Sequence, residues 1–130
     1  MASFPSSAYA WLLKAEEDLQ GAKYLLLRED LSVLTCFHAQ QALEKGLKGV
    51  AALLGAEEIP RTHNLVELLG LVTGFGVAAP VSEEELATLY SYAVLIRYED
   101  SLTPTHESAQ QAVSMADLVV SWARELISAS

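Results

Sequence analysis

His38, Gln41 and Lys45 are spaced three and four residues apart within the stretch Cys36-Phe-His-Ala-Gln-Gln-Ala-Leu-Glu-Lys-Gly-Leu-Lys. On a helix of 3.6 residues per turn that spacing stacks an imidazole, an amide and an ammonium on one line. Cys36, Ala39, Leu43, Leu47, Val50 and Leu54 fall roughly opposite, as the apolar stripe of an amphipathic helix. A core helix needs that stripe but not the polar line. The three polar groups could supply a general acid or base, an amide donor and acceptor, and a phosphate-binding cation. The alternative is structural: His38 and Gln41 satisfy buried polar groups while Lys45 pairs with a carboxylate. Lys48 lies beside the line and either adds positive potential or is a solvated helix residue.

A second group, Arg61, His63 and Asn64, precedes or opens a short helix, where unpaired backbone N–H groups can receive an anion. Capping and loop anchoring account for the same residues. Arg97 continues an otherwise apolar helical line and either meets an anion or forms a structural salt bridge; its position near a helix end also suits the helix dipole. Tyr98 beside it either stacks on a base or packs in the core.

The elements that position these residues are helical. The 130 residues include 52% apolar and 19% charged side chains, which indicates one globular domain and not a disordered chain. Abundant Ala, Leu and Glu with four prolines predict an all-α fold, an up-and-down bundle of four to five helices. The first helix is expected over Ser7–Arg28, burying Trp11, Leu12, Ala15, Leu19, Ala22 and Leu26. Asp30 is a candidate N-cap for the second, Leu31–Leu54, which ends at Gly55. Thr62 is expected to cap a third helix that buries Leu65, Leu68, Leu69 and Val72. Ser82 and Glu85 form a capping box for a fourth, Ser82–Tyr98. Pro104 separates it from a fifth, His106–Ser128, with a stripe of Ala109, Ala112, Val113, Ala116, Val120, Ala123 and Ile127. Met115, Trp122 and Leu126 fall elsewhere on that helix and predict a subunit contact.

Seventeen acidic against eight basic side chains give a net charge of −9. That balance disfavours a general coating of DNA, which depends on Lys and Arg at many phosphates, and binding of a nucleotide or RNA would need a local basic pocket. The apolar runs are too short to span a bilayer. The start, Met1-Ala-Ser-Phe-Pro, lacks the regions of a signal peptide, and the lone Cys36 permits no intrachain disulfide. Both predict a cytoplasmic protein. No metal-ligand spacing and no glycine-rich phosphate loop occur, so no metal or cofactor is expected.

Four segments, in order, resemble the HEPN (higher eukaryotes and prokaryotes nucleotide-binding) domain family. They are Trp11-Leu-Leu-Lys-Ala-Glu-Glu-Asp-Leu, the Cys36–Lys48 stretch, Arg61-Thr-His-Asn-Leu-Val-Glu-Leu-Leu, and Tyr92-Ala-Val-Leu-Ile-Arg-Tyr-Glu-Asp. The resemblance implies a four- or five-helix bundle that forms a homodimer, with a tetramer as the alternative. It also implies a nucleotide- or RNA-associated module, partnered with a small nucleotidyltransferase in a toxin–antitoxin-like pair. Another branch of the family consists of metal-independent ribonucleases in which four to six residues separate an arginine from a histidine. Here eight residues separate Arg97 from His106, and Pro104 is one of them. Tyr98-Glu99-Asp100 stands where the family more usually has Tyr-Pro-Asp. The expectation is accordingly a non-catalytic module. The alternatives are a ribonuclease with a divergent composite site of Arg97 with His38 or His106, and a purely structural oligomerisation module.

Overall fold

The computed structural model describes residues 3–89 and 104–130, with side chains from residue 7 onward. Helix α1 spans Ser3–Leu25. A single 3₁₀ turn at Glu29–Leu31 leads into α2, Ser32–Leu53, and α3 is Leu65–Thr73. Residues 83–89 are helical and form the described part of α4; α5 is His106–Ser128. No strand occurs among the described residues. The remainder of the expected fourth helix, with Arg97 and Tyr98, lies outside them.

Helix α2 is the central element. Cys36, Ala39, Ala42, Leu43, Leu47, Val50 and Ala51 are all buried, and α1, α3 and α5 each pack against it. Helix α1 runs antiparallel to α2: Gly49 lies against Ala8 and Trp11, while Lys45 reaches Asp18. Helix α5 runs in the same direction as α2, since Gly46 faces Val119 and Val120, and Gly49 faces Ile127. Two ion pairs tie α5 to α1 from outside, Lys23–Asp117 at 3.2 Å and Glu16–Arg124 at 2.5 Å. The apolar sets expected for α3 and α5 are buried in full, with Val119 added to the latter. On α1, Leu12, Ala15, Leu19 and Ala22 are buried, whereas Trp11, and Leu26 just beyond the helix end, are partly buried at the margin of the core.

The helix ends show which local signals prevailed. Gly55 takes φ +95°, and the amides of Gly55 and Ala56 return to the carbonyls of Ala52 and Ala51. That is a Schellman closure, and the left-handed position explains the glycine. Ser82 and Glu85 exchange both bonds of a capping box, at 2.8 and 3.1 Å. Asp30 does not cap α2, contrary to expectation. Its carboxylate is gripped by the Arg28 guanidinium at 2.7 and 3.0 Å, and Leu31 holds the cap position with no side-chain bond. Thr62 does not cap α3 either. Asn64 does, accepting from the amides of Val66 and Glu67, while Thr62 accepts from the Asn64 amide and stiffens the approach. Thr105 caps α5 through the Ser108 amide.

Met115, Trp122 and Leu126 pack partly buried against the core, so they offer less free surface than the sequence suggests. Leu118 is the exposed large apolar side chain described on α5, and further ones lie on α1, on α2 and at the connection between them, among them Leu13, Tyr24, Leu27, Leu34 and Phe37.

Close approach at Gly49 is the packing condition most open to test. An added Cβ there would meet Trp11 Cβ at 3.2 Å and the Ala8 carbonyl at 3.4 Å. Gly49→Ala is expected to destabilise by about 1 kcal/mol net, the overpacking cost exceeding the gain in helix propensity. Gly21→Ala, where nothing lies within 4 Å of an added Cβ, is expected to stabilise by roughly 0.5–1 kcal/mol. Urea unfolding of the two variants should give opposite signs; a stabilised Gly49→Ala protein contradicts the close-approach account.

Candidate functional site

Because α2 is packed on several sides, its charged side chains and His38 find partners inside the bundle or at the seams between helices. Two groups result, each a carboxylate shared by a lysine and a histidine. In the first, Asp18 of α1 meets α2: Oδ2 accepts from Lys45 Nζ at 2.6 Å, and Oδ1 lies 3.5 Å from His38 Nδ1. In the second, Glu44 Oε2 accepts from Lys48 Nζ at 3.0 Å, and Oε1 lies 2.9 Å from His63 Nδ1 on the loop before α3. Helical geometry accounts for both. Lys45 follows His38 by two turns, and Glu44 precedes Lys48 by the four residues that favour such a pair.

Burial separates the two groups. The side chains of Asp18, Lys45 and His38 retain 17, 25 and 33% of their exposure, so a solute can reach them. Those of Glu44 and Lys48 retain 5 and 7%. The Lys48 ammonium is covered further by the Trp11 ring, 5.4 Å from its centroid, a cation–π contact that replaces part of its lost hydration. Lys48 is therefore a buried structural cation and not a solvated helix residue. Only His63 of this second group faces water, with 76% of its side chain exposed. Its Nδ1 is engaged by Glu44, so the loop is tethered to α2 through the imidazole.

The remaining sequence candidates fall as follows. Gln41 is partly buried on α2, between His38 and Lys45 along the chain. Asn64 spends its side-chain oxygen on the cap of α3, which leaves that oxygen to structure. Arg61 is exposed on the same loop. His106 opens α5 and joins neither group; its Nδ1 is buried without a hydrogen-bond partner among the described residues. Arg97 and Tyr98 lie outside the described residues. Asp18 and Glu44, which organise both groups, were not singled out from the sequence. The Glu44–Lys48 spacing was a readable signal for one, but Asp18 looked like the end of an ordinary acidic run.

The first group sets a charged donor beside an imidazole at the edge of the α1–α2 seam. Lys45 supplies a charged donor, and the Phe37 ring packs edge-on against His38 with centroids 5.6 Å apart, which holds the imidazole. With Nδ1 turned toward Asp18, Nε2 is the nitrogen that makes no hydrogen bond to the described protein. A groove of about 600 Å³ lies between α4 and α5, where Glu85 and Glu107 line it together with neutral residues, and no cation among the described residues does. Cys36 is buried, and burial pushes its thiol up to about 11, so at neutral pH it is a protonated core residue and not a nucleophile. Among the described residues no group of three His, Cys, Asp or Glu side chains could hold a metal ion. No described helix is long and apolar enough to cross a membrane.

The buried pair makes a clear prediction. Lys48→Met leaves the Glu44 charge with His63 alone and is expected to cost about 3–5 kcal/mol, the usual penalty for orphaning one partner of a buried pair. The double change Glu44→Leu/Lys48→Met removes both charges and should recover most of that loss. Urea unfolding measures each; simple additivity of two large losses would contradict the pairing.

Comparison with known proteins agrees with this architecture. A solved structure described as that of an archaeal HEPN homologue superposes with a TM-score of 0.68, at 23% identity over 92% of this chain and 97% of the other. That likeness establishes the shared helical fold. No protein with a curated description matches the sequence. The sequence of residues 8–126 matches the HEPN domain family. With nearly the whole chain matched, the protein belongs to the HEPN domain family, and that membership supports a nucleotide- or RNA-associated module.

Proposed function

We propose that this HEPN module binds the phosphate of a nucleotide or RNA without cleaving it, at the α1–α2 notch of Asp18, His38 and Lys45. The observation that carries the reading is the accessible pairing of His38 and Lys45 around one carboxylate. The equivalent Glu44–Lys48 pair is sealed, and the groove between α4 and α5 has no cation among its described lining residues. Lys14, which sits over the Trp11 ring at 5.7 Å, adds a further cation one helical turn before Asp18. The module acts as a homodimer beside a small nucleotidyltransferase, in a toxin–antitoxin-like pair. The exposed Tyr24, Leu27, Leu34 and Phe37 supply apolar surface for a subunit contact.

Titration with ATP, AMP and short RNAs tests the binding reading. The wild-type protein is expected to bind at least one of them. Lys45→Ala should weaken that binding about tenfold or more, as loss of a charge-assisted hydrogen bond does, and His38→Ala should weaken it less. No binding by the wild type, or undiminished binding by Lys45→Ala, would sink the proposal. Its partner half is tested by co-expression with a small nucleotidyltransferase encoded beside it; failure to co-purify, or no such neighbour, would remove that half.

A further inference from the structure

We propose that Asp18 is a built-in competitor for the notch, and that the notch therefore selects a terminal phosphate over an internal phosphodiester. This rests on the reading of the notch as a phosphate site. Asp18 places one carboxylate oxygen 2.6 Å from Lys45 Nζ and the other 3.5 Å from His38 Nδ1. Both partners, the Lys45 ammonium and the His38 imidazole, are thus already faced by a two-oxygen, singly charged anion. Any ligand must displace it or share with it.

An internal phosphodiester offers two non-bridging oxygens and one negative charge, the same as the carboxylate it would replace. It gains nothing from the exchange and additionally loses hydration. A terminal phosphomonoester offers three oxygens and a charge near −2 at neutral pH, so it outcompetes the carboxylate for Lys45 and His38. Steric access points the same way. Asp18 keeps only 17% of its side-chain exposure and Lys45 25%, which admits the end of a chain more readily than a strand continuing in both directions. The ligand class is a terminal phosphate, carried by a mononucleotide or by the 5′ end of an RNA.

The consequence has an unusual sign: removing a residue of the site should tighten binding. Asp18→Asn keeps the shape and a side-chain hydrogen bond while releasing the charge on Lys45. It is expected to strengthen binding of AMP and of a 5′-phosphorylated short RNA about two- to fivefold, the range of one partly exposed ion pair. The same RNA with a 5′-hydroxyl should bind weakly to both proteins. Glu16→Gln, which removes one negative charge from the same helix at the Arg124 pair, controls for net charge and should leave affinity unchanged. Equal binding of the 5′-hydroxyl RNA, weaker or unaltered binding by Asp18→Asn, or equal tightening by Glu16→Gln would each overturn the inference. If Lys45→Ala still loses affinity in those cases, the phosphate-site reading stands without the competitor. The AMP and RNA arms distinguish a nucleotide ligand from an RNA terminus.

Discussion

The structure depends on one constraint: α2 is packed by α1, α3 and α5, yet it carries Gln40, Glu44 and Lys48 at 9% exposure or less. Burying an unpaired charge is costly, so each ionised group on such a helix must find a partner close by. Glu44 meets this by accepting from Lys48 on its own helix and His63 from the next loop. The pair fixes more than charge. It ties the loop before α3 to the bundle and presses the Lys48 stem toward Trp11, so helix register and loop position are set by the same atoms. A hydrophobic pair could be as stable there, but it would leave the loop untethered.

The same constraint, relaxed by a few ångströms, produces the notch. Asp18, His38 and Lys45 form a carboxylate–histidine–lysine group of the same kind as Glu44, His63 and Lys48, but at the edge of the α1–α2 seam instead of inside it. Seam depth is governed by the small residues. Ala8, Ala15 and Ala22 on α1 and Gly49 on α2 let the helices approach closely, which brings a short aspartate within reach of a lysine on the neighbouring helix. The ion group and the packing are thus coupled through backbone separation: a seam widened at Gly49 would also lengthen the Asp18–Lys45 contact.

Much of the bundle was legible because its signals are local. The three- and four-residue periodicity marked the buried sets of α3 and α5, and Gly55 and the Ser82–Glu85 box marked ends that close as expected. Errors came where two polar groups competed for one partner. Asp30 looks like a cap until Arg28 takes its carboxylate, and Thr62 looks like one until Asn64, two residues on, supplies a better-placed acceptor. The first helix begins at Ser3 and not Ser7, since Pro5 falls in a first turn whose N–H groups need no partner. Of the site, the line of His38, Gln41 and Lys45 was visible as helical spacing. Asp18 was not, because its role comes from the neighbouring helix, and no spacing within one segment reports a contact between residues 27 positions apart.

The overall charge of −9 bears on the proposed site. Charges beyond about 8 Å are screened at physiological salt, so on that reading a mononucleotide would interact chiefly with Lys45, His38 and Asp18 themselves. A long RNA would lay further phosphates across a surface where acidic groups outnumber basic ones, without the many cation contacts that nucleic-acid coating requires. Nor would the protein's field draw a polyanion in, since electrostatic steering needs a surface of opposite sign. On the proposed reading, an acidic body with a lysine at the α1–α2 seam favours ligands whose negative charge is concentrated at one end. That preference follows from charge distribution alone, before any base or sugar is recognised.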